Sequence, residues 1–198
     1  MSFAFHDPKI LYFIVPGTGS NSFHPGMRTK YRRNDKVGDL LVESNPVKEW
    51  HRIHHSAHFT AEQIREIVSD EIWNYEKIFF VRDPFDWCNS LFNKGGVENV
   101  GMNNKHGMLH FLKTLSLTPY SWGSDRKGNL LADKIYRTED LKDLFKKYEI
   151  PVRTANISKK SPNKYCDECI ELIREKFVRE WKHYDFDDSL KNYRKRVK

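Results

Sequence analysis

The chain has 198 residues, with 34 Lys and Arg against 27 Asp and Glu for a formal charge of +7, 38% hydrophobic residues and 14% aromatic ones. That length supports one sizeable core rather than two, and apolar residues spread along the whole chain exclude extensive disorder. The longest apolar run, Ile10 to Val15, has six residues, far below the roughly 20 that span a bilayer, which excludes a membrane-crossing helix.

In chain order, ILYFIV reads as a buried strand that runs into the Gly-containing turn PGTGSNSF and then a helix beginning near Asn21 or Ser22. From His24 to about Trp50, Pro25, Gly26, Gly38 and Pro46 interrupt any periodicity. A long irregular loop over residues 23–52 is expected there, carrying the basic cluster Arg28, Lys30, Arg32 and Arg33. In HFTAEQIREIV, Thr60 and Gln63 have capping-box spacing, and Ile64, Ile67 and Val68 form an apolar stripe at helical intervals. KIFFV reads as a second buried strand, and RDPFDWCNSLFN as a helix that ends before Gly95-Gly96. Met108, Phe111, Leu112 and Leu115 give a further short helix, and Gly123 to Gly128 a turn or hairpin.

LADKIY is the third expected strand, followed by a helix capped by Thr138, with Glu139 and Asp140 in its first turn and Lys146 and Lys147 in its last. After Pro151 comes the polar stretch TANISKKSPNKY. One long terminal helix then follows, with Ile170, Ile173, Phe177 and Trp181 on one side, and residues 190–198 form a basic tail. Strands alternating with helices predict a single α/β domain over residues 1–198, its mostly parallel sheet flanked by helices and its ligands at the carboxyl ends of the strands. The start MSFAFHDPK lacks the basic segment and apolar core of a secretory signal, and three cysteines are too few for a secreted disulfide framework, so a cytoplasmic location is expected.

A loop that leaves a buried strand and enters a helix presents backbone N–H groups and the positive end of the helix dipole to an anion. Pro16, Gly17, Thr18, Gly19, Ser20, Asn21 and Ser22 form such a loop, but no Lys precedes the final Ser, so it is not the GxxxxGK[ST] loop of nucleoside triphosphatases. Arg82, at the end of the second strand, can offer a rigid fork of donors to a phosphate, and Ser90, two turns into the next helix, can add a hydroxyl. The alternative is a structural ion pair of Arg82 with Asp83 or Asp86. His51, His54, His55 and His58 recur at helical spacing, yet no carboxylate or Cys is tied to them, and no metal site is expected. Cys166 and Cys169 have redox or half-zinc spacing without a second pair, and are expected to be structural.

In their order along the chain, these blocks resemble the sulfotransferases that use 3′-phosphoadenosine-5′-phosphosulfate (PAPS), especially the carbohydrate-type branch. Pro16 to Ser22 looks like the family's PKTGGTS loop, which holds the 5′-phosphosulfate. Arg82 and Ser90 match the RDPxDRxxSxY motif that binds the 3′-phosphate. HFTAEQIREIVSDEIW is similar to HLTxxxLRxxLG, YRTEDL to RFExL, and the run from Asn156 to Phe186 to the carboxyl-terminal segment.

The resemblance implies a P-loop-like sulfotransferase fold and transfer of a sulfuryl group from PAPS to an acceptor hydroxyl, such as that of a carbohydrate, with no metal. His58 is the candidate base, because an imidazole of pKa near ~6.5 accepts a proton near neutral pH. A turn through Asn156, Ser158 and Lys160 is expected to close over the nucleotide, and the loop from His24 to Trp50 to choose the acceptor. Gly17 stands where the family carries a Lys at the leaving group, with Arg28 and Lys30 as candidate replacements. Two rival readings are a catalytically impaired nucleotide-binding homologue and a basic nucleic-acid-binding protein, the latter disfavoured.

Overall fold

The computed structural model describes residues 2–32, 34–36, 59–94, 96–97, 102–103, 107–151 and 165–184. Strands β1 (Phe3–His6) and β2 (Lys9–Phe13) form an antiparallel hairpin, with Phe3 opposite Tyr12 and His6 opposite Lys9. Helix α1 (Ser20–Lys30) follows, and the short strand β3 (Asn34–Lys36) pairs antiparallel with β1. Helices α2 (Ala61–Ile67) and α3 (Asp70–Trp73) precede β4 (Glu76–Val81), which lies parallel to β2 with Tyr12 opposite Ile78. Helix α4 (Pro84–Asn93) comes next, then the small β5 (Gly96–Val97) and β6 (Met102–Asn103) pair, α5 (Met108–Thr114) and α6 (Pro119–Trp122). Strand β7 (Lys134–Arg137) lies parallel to β4 and is followed by α7 (Leu141–Lys147). Helices α8 (Asp167–Lys176) and α9 (Val178–Tyr184) end the described chain.

The result is an α/β fold around a five-stranded sheet ordered β3-β1-β2-β4-β7. The three expected strands are present, and they are parallel. The sheet as a whole is mixed, however, because the amino-terminal FAFH segment folds back on β2 and recruits β3. Both faces are buried, as the near-continuous apolar runs require. Ala4, Leu11, Phe13, Phe79 and Val81 point to one layer, packed by α2, α4, α5 and α8. Phe3, Phe5, Ile10, Tyr12, Ile78 and Phe80 point to the other, packed by α1 and α7.

Local signals act where they are strongest. Thr60 Oγ1 accepts the Gln63 amide at 3.3 Å while Gln63 Oε1 accepts the Thr60 amide at 2.9 Å, a complete capping box. Asp83 caps α4 by accepting the Asp86 amide at 3.0 Å, with Pro84 in the first helical position.

Three expectations are corrected by packing. Helix α1 continues through Pro25 to Lys30 and β3 follows at Asn34–Lys36, so residues 23–30 and 34–36 of the expected loop are not irregular. Phe23 and Met27, both fully buried in the core below the sheet, outweigh the hydrogen bond that Pro25 cannot donate. Of the expected loop, residues 37–52 lie outside the described residues, as does the tail 190–198. Thr138 does not cap α7: it opens a 3₁₀ turn, Thr138–Asp140, and its hydroxyl goes elsewhere. The terminal helix is two helices, broken at Phe177, whose fully buried ring packs edge-on against Trp87 at 5.6 Å.

The break at Phe177 also carries Glu180 inward, where it is fully buried and Oε1 accepts the Tyr120 amide at 2.9 Å. Burial holds its carboxyl above the usual carboxylate range, against the opposing pull of the Thr118 hydroxyl and the Tyr120 amide. A carboxyl with a raised native pKa keeps its proton longer in the folded chain than in the unfolded one. Its contribution to stability is therefore full at acid pH and is lost as pH rises from the ordinary carboxylate range through the native value. Glu180→Gln keeps a carbonyl acceptor and removes the titration. Urea midpoints measured across that window are expected to fall with pH in the parent chain and to fall less in the variant; equal slopes would assign the pH dependence to another group.

Candidate functional site

Because β2, β4 and β7 are parallel, their carboxyl ends share one edge of the sheet. Helix α1, leaving β2, buries Phe23 and Met27 on one face, while α4, leaving β4, buries Phe85, Trp87, Cys88 and Leu91 on the other. The chain thus diverges between β2 and β4, and such a switch point opens a crevice at the carboxyl edge.

The loop from Pro16 to Gly19 sits in that crevice and is held by its carbonyls. Trp87 Nε1 donates to the Pro16 carbonyl at 2.6 Å, Arg82 Nη1 to the Gly17 carbonyl at 3.2 Å, and Thr138 Oγ1 to the Thr18 carbonyl at 3.2 Å. Thr138 Oγ1 also lies 2.9 Å from the Val81 carbonyl and so joins the ends of β4 and β7 to the loop. Thr18 is fully buried and its hydroxyl donates to the Val15 carbonyl at 2.9 Å, which leaves only its backbone for a ligand. Pro16 is buried, while Gly17 and Gly19 keep partial exposure.

Gly17 and Gly19 have φ of 78° and 77°, the left-handed region that favours glycine. Gly19 is the N-cap of α1 and brings no side chain, and the Ser22 amide turns back to the Gly19 carbonyl at 2.9 Å. The first turn of this eleven-residue helix, Ser20, Asn21 and Ser22, therefore has no side-chain cap at its N-cap position and no acidic residue. Backbone donors and the positive end of the macrodipole at such a terminus favour an anion.

Arg82 is half-buried and spends one donor of its fork on the Gly17 carbonyl. Ser90 is buried on α4, roughly 9 Å along the helix axis from Pro84, and no hydrogen bond joins it to Arg82. Lys94, the residue that ends α4 one turn beyond Ser90, has its ammonium held below the usual lysine range, first by burial and then by the Arg82 charge. Nearby, burial raises the Glu139 carboxyl, the Asp83 charge adds to the effect, and Arg137 and Arg82 oppose it. Three cations, Arg82, Lys94 and Arg137, and two carboxylates, Asp83 and Glu139, thus interact electrostatically near this edge.

Arg28 and Lys30 do not replace the absent Lys. They sit in the last turn of α1, roughly 12–15 Å along its axis from Ser20. The Arg28 guanidinium lies over the Phe3 ring at 5.2 Å, and Lys30 pairs with Glu149 at 2.7 Å. A cleft of about 620 Å³ lined by His24, Arg28, Thr29 and Arg32 marks that far end of the helix. His58, Asn156, Ser158 and Lys160 lie outside the described residues. Thr60, two residues after His58, lines a cavity of about 270 Å³ with Ser121, Ser124, Arg126 and Arg179. The histidines at 51, 54 and 55 are also outside the described residues, among which no group of three or more metal-ligating side chains assembles.

Sequence reasoning missed Trp87, Thr138 and Lys94 as parts of this edge. Lys94 was within reach, since it follows Ser90 by four residues and so shares its helix face. Trp87 and Thr138 have no such signal, because their roles are set by carbonyls far away in the chain. Comparison of the chain with protein-family models, with curated proteins and with solved structures returns no match. No helix among the described residues is long and apolar enough to cross a membrane.

A side chain at position 17 meets two obstacles. An ideal Cβ there lies 3.2 Å from Leu91 Cδ2 and 3.3 Å from the Trp87 ring, and the backbone is left-handed. Gly17→Ala is expected to cost about 1–2 kcal/mol of stability, the penalty for a Cβ in that region, and Gly17→Lys at least as much. The check is the urea midpoint of each variant; unchanged midpoints would mean that the loop refolds with negative φ at little cost.

Proposed function

We propose that the chain binds a phosphoadenosine nucleotide at the carboxyl edge of β2, β4 and β7, in a P-loop-like arrangement, and that it is a PAPS-dependent sulfotransferase. The observation that carries the reading is the uncapped start of α1 behind a carbonyl-pinned loop, with Arg82 reaching across to that same loop. The α1 amides and the guanidinium fork are two anion-binding groups joined by one loop, and a nucleotide with separate 5′- and 3′-phosphate groups uses both. On this reading Gly17, Gly19, Ser20 and Asn21 offer backbone donors to the phosphosulfate, while Arg82 and Ser90 take the 3′-phosphate.

In the transfer itself, the acceptor oxygen bonds to sulfur as the bond from sulfur to the 5′-phosphate oxygen breaks. The hydroxyl proton passes to a base, for which His58 is the candidate, and adenosine 3′,5′-bisphosphate leaves. Positive groups stabilise the charge that grows on the leaving phosphate. Beyond Arg82, which this reading gives to the 3′-phosphate, Lys94 and Arg137 are cations near the described edge, and the α1 terminus adds its dipole. The acceptor is a hydroxyl compound, such as a carbohydrate, and the cavity beside Thr60 is its proposed entry. A second reading, binding without transfer, is supported by Gly17, whose left-handed backbone and close contacts with Leu91 and Trp87 make the lysine that the resembling family carries there a strained substitution.

Calorimetric titration with adenosine 3′,5′-bisphosphate, with adenosine 5′-monophosphate as the control, tests the site. Binding is expected to require the 3′-phosphate and to weaken about 10- to 100-fold in Arg82→Ala, the equivalent of charged hydrogen bonds worth about 1.5–3 kcal/mol. A urea midpoint for that variant separates lost binding from a loosened loop. Equal binding of the two nucleotides would sink the proposal. Incubation with PAPS and a panel of sugar acceptors then divides the two readings: sulfated product supports transfer, and binding without product supports the non-catalytic one.

A further inference from the structure

Cys166 and Cys169 open α8, and the fold treats them unequally. Cys166 is the exposed N-cap residue, and its Sγ accepts the Cys169 amide at 3.3 Å. Cys169, one turn further, is buried at 3% exposure. The two sulfurs face each other in direct contact, 2.7 Å apart. Their surroundings hold them there. Tyr165, just before the pair, donates its hydroxyl to the Phe85 carbonyl at 2.7 Å and packs its ring on Phe85 at 5.5 Å. Ile170 and Ile173, just after it, are buried in the core.

An accessible thiol in contact with a buried thiol one helical turn away is the arrangement that thiol–disulfide exchange needs. We propose that Cys166 and Cys169 form an exchange site for low-molecular-weight disulfides, with Cys166 as the attacking thiol and Cys169 as the resolving one. In the first step Cys166 sulfur bonds to one sulfur of the disulfide, the disulfide bond breaks, and one small thiol leaves with the Cys166 proton. In the second, Cys169 sulfur bonds to Cys166 sulfur, the mixed disulfide breaks, and the second small thiol leaves with the Cys169 proton. The cysteine pair is oxidised by two electrons and the small disulfide is reduced to two thiols. Burial pushes the Cys169 thiol up to about 11, which keeps it protonated until the mixed disulfide stands beside it and assigns the first attack to Cys166. Cys88, fully buried on α4 with its thiol raised by burial, is an internal control that does not react.

The test is incubation of the folded chain with oxidised glutathione, an acid quench, and intact-mass and peptide analysis. The parent chain is expected to lose two hydrogens, to carry no lasting adduct, and to yield a linked Cys166–Cys169 peptide. Cys169→Ser is expected to retain one glutathione on Cys166, and Cys166→Ser to remain unmodified. A parent chain that stays fully reduced, or that accumulates a stable adduct without the internal link, overturns the proposal. The linked peptide is read on the parent chain, so the test holds even if a variant fails to fold.

Discussion

The candidate site depends on the satisfaction of three successive carbonyls. A chain that leaves a buried strand must find partners for its peptide groups, and an irregular loop has no ladder to supply them. Here the Pro16, Gly17 and Thr18 carbonyls take donors from Trp87, Arg82 and Thr138, residues 71, 65 and 120 positions away. Each bond contributes only about 0.5–1.5 kcal/mol. Their larger effect is positional: with its carbonyls committed to the neighbouring elements, the loop delivers the chain to α1 in one conformation. The left-handed backbone at Gly17 and Gly19 accompanies the same tie, at two of the residues that lie between the end of β2 and the start of α1 at Ser20.

The same dependence governs what could be read from sequence. Elements specified by neighbours in the chain were legible. The runs ILYFIV and KIFFV are apolar throughout because both faces of the sheet are covered, and the Thr60–Gln63 box and the Asp83-Pro84 start announce their helices within a single turn. Elements specified by distant contacts were not. FAFH is too short to signal a strand, and becomes one by pairing with β2. Pro25 looks like a terminator, but Phe23 is set edge-on against both Tyr12 and Phe80, at 5.4 and 5.0 Å, and that packing carries the helix through. The stripe of Ile170, Ile173, Phe177 and Trp181 fits one long helix, yet seating Phe177 on Trp87 and Glu180 under Tyr120 bends the chain into two. Of the site, Arg82 and the Pro16–Ser22 loop were legible because strand ends and glycines mark them. Thr138 was assigned to the wrong partner because a Thr before a helix is ordinarily a cap.

The absence of a cation at position 17 is tied to the identity of position 87. In the family pattern that this chain resembles, the second Arg of RDPxDRxxSxY falls on Trp87, and the Lys of the loop falls on Gly17. These two positions touch: the indole donates to Pro16 and its ring lies 3.3 Å from where a Cβ on Gly17 would be. A large flat side chain at 87 packs closely over position 17 and favours a residue without a Cβ there, so the two departures from the resembled pattern are coupled by packing. Restoring the lysine alone places its Cβ against the indole. Restoring the arginine alone removes the Pro16 tether.

On the proposed reading, two cations have then been exchanged for a rigid hydrophobic contact, and the remaining positive charge comes from Arg82, Lys94 and the start of α1. Lys94 bears directly on what that costs. Its ammonium is held below the usual lysine range in part by the Arg82 charge, and an anion bound near both relieves that repulsion. Loss of a preorganised donor typically lowers a transfer rate by ~10²–10³. Ground-state binding of the nucleotide does not depend on that particular donor in the same way, because the α1 amides act on the 5′-phosphate and Arg82 on the 3′-phosphate throughout. On that reading the leaving-group side of the site is weaker than its nucleotide-holding side, and sulfuryl transfer is expected to be slow relative to the strength with which the nucleotide is held.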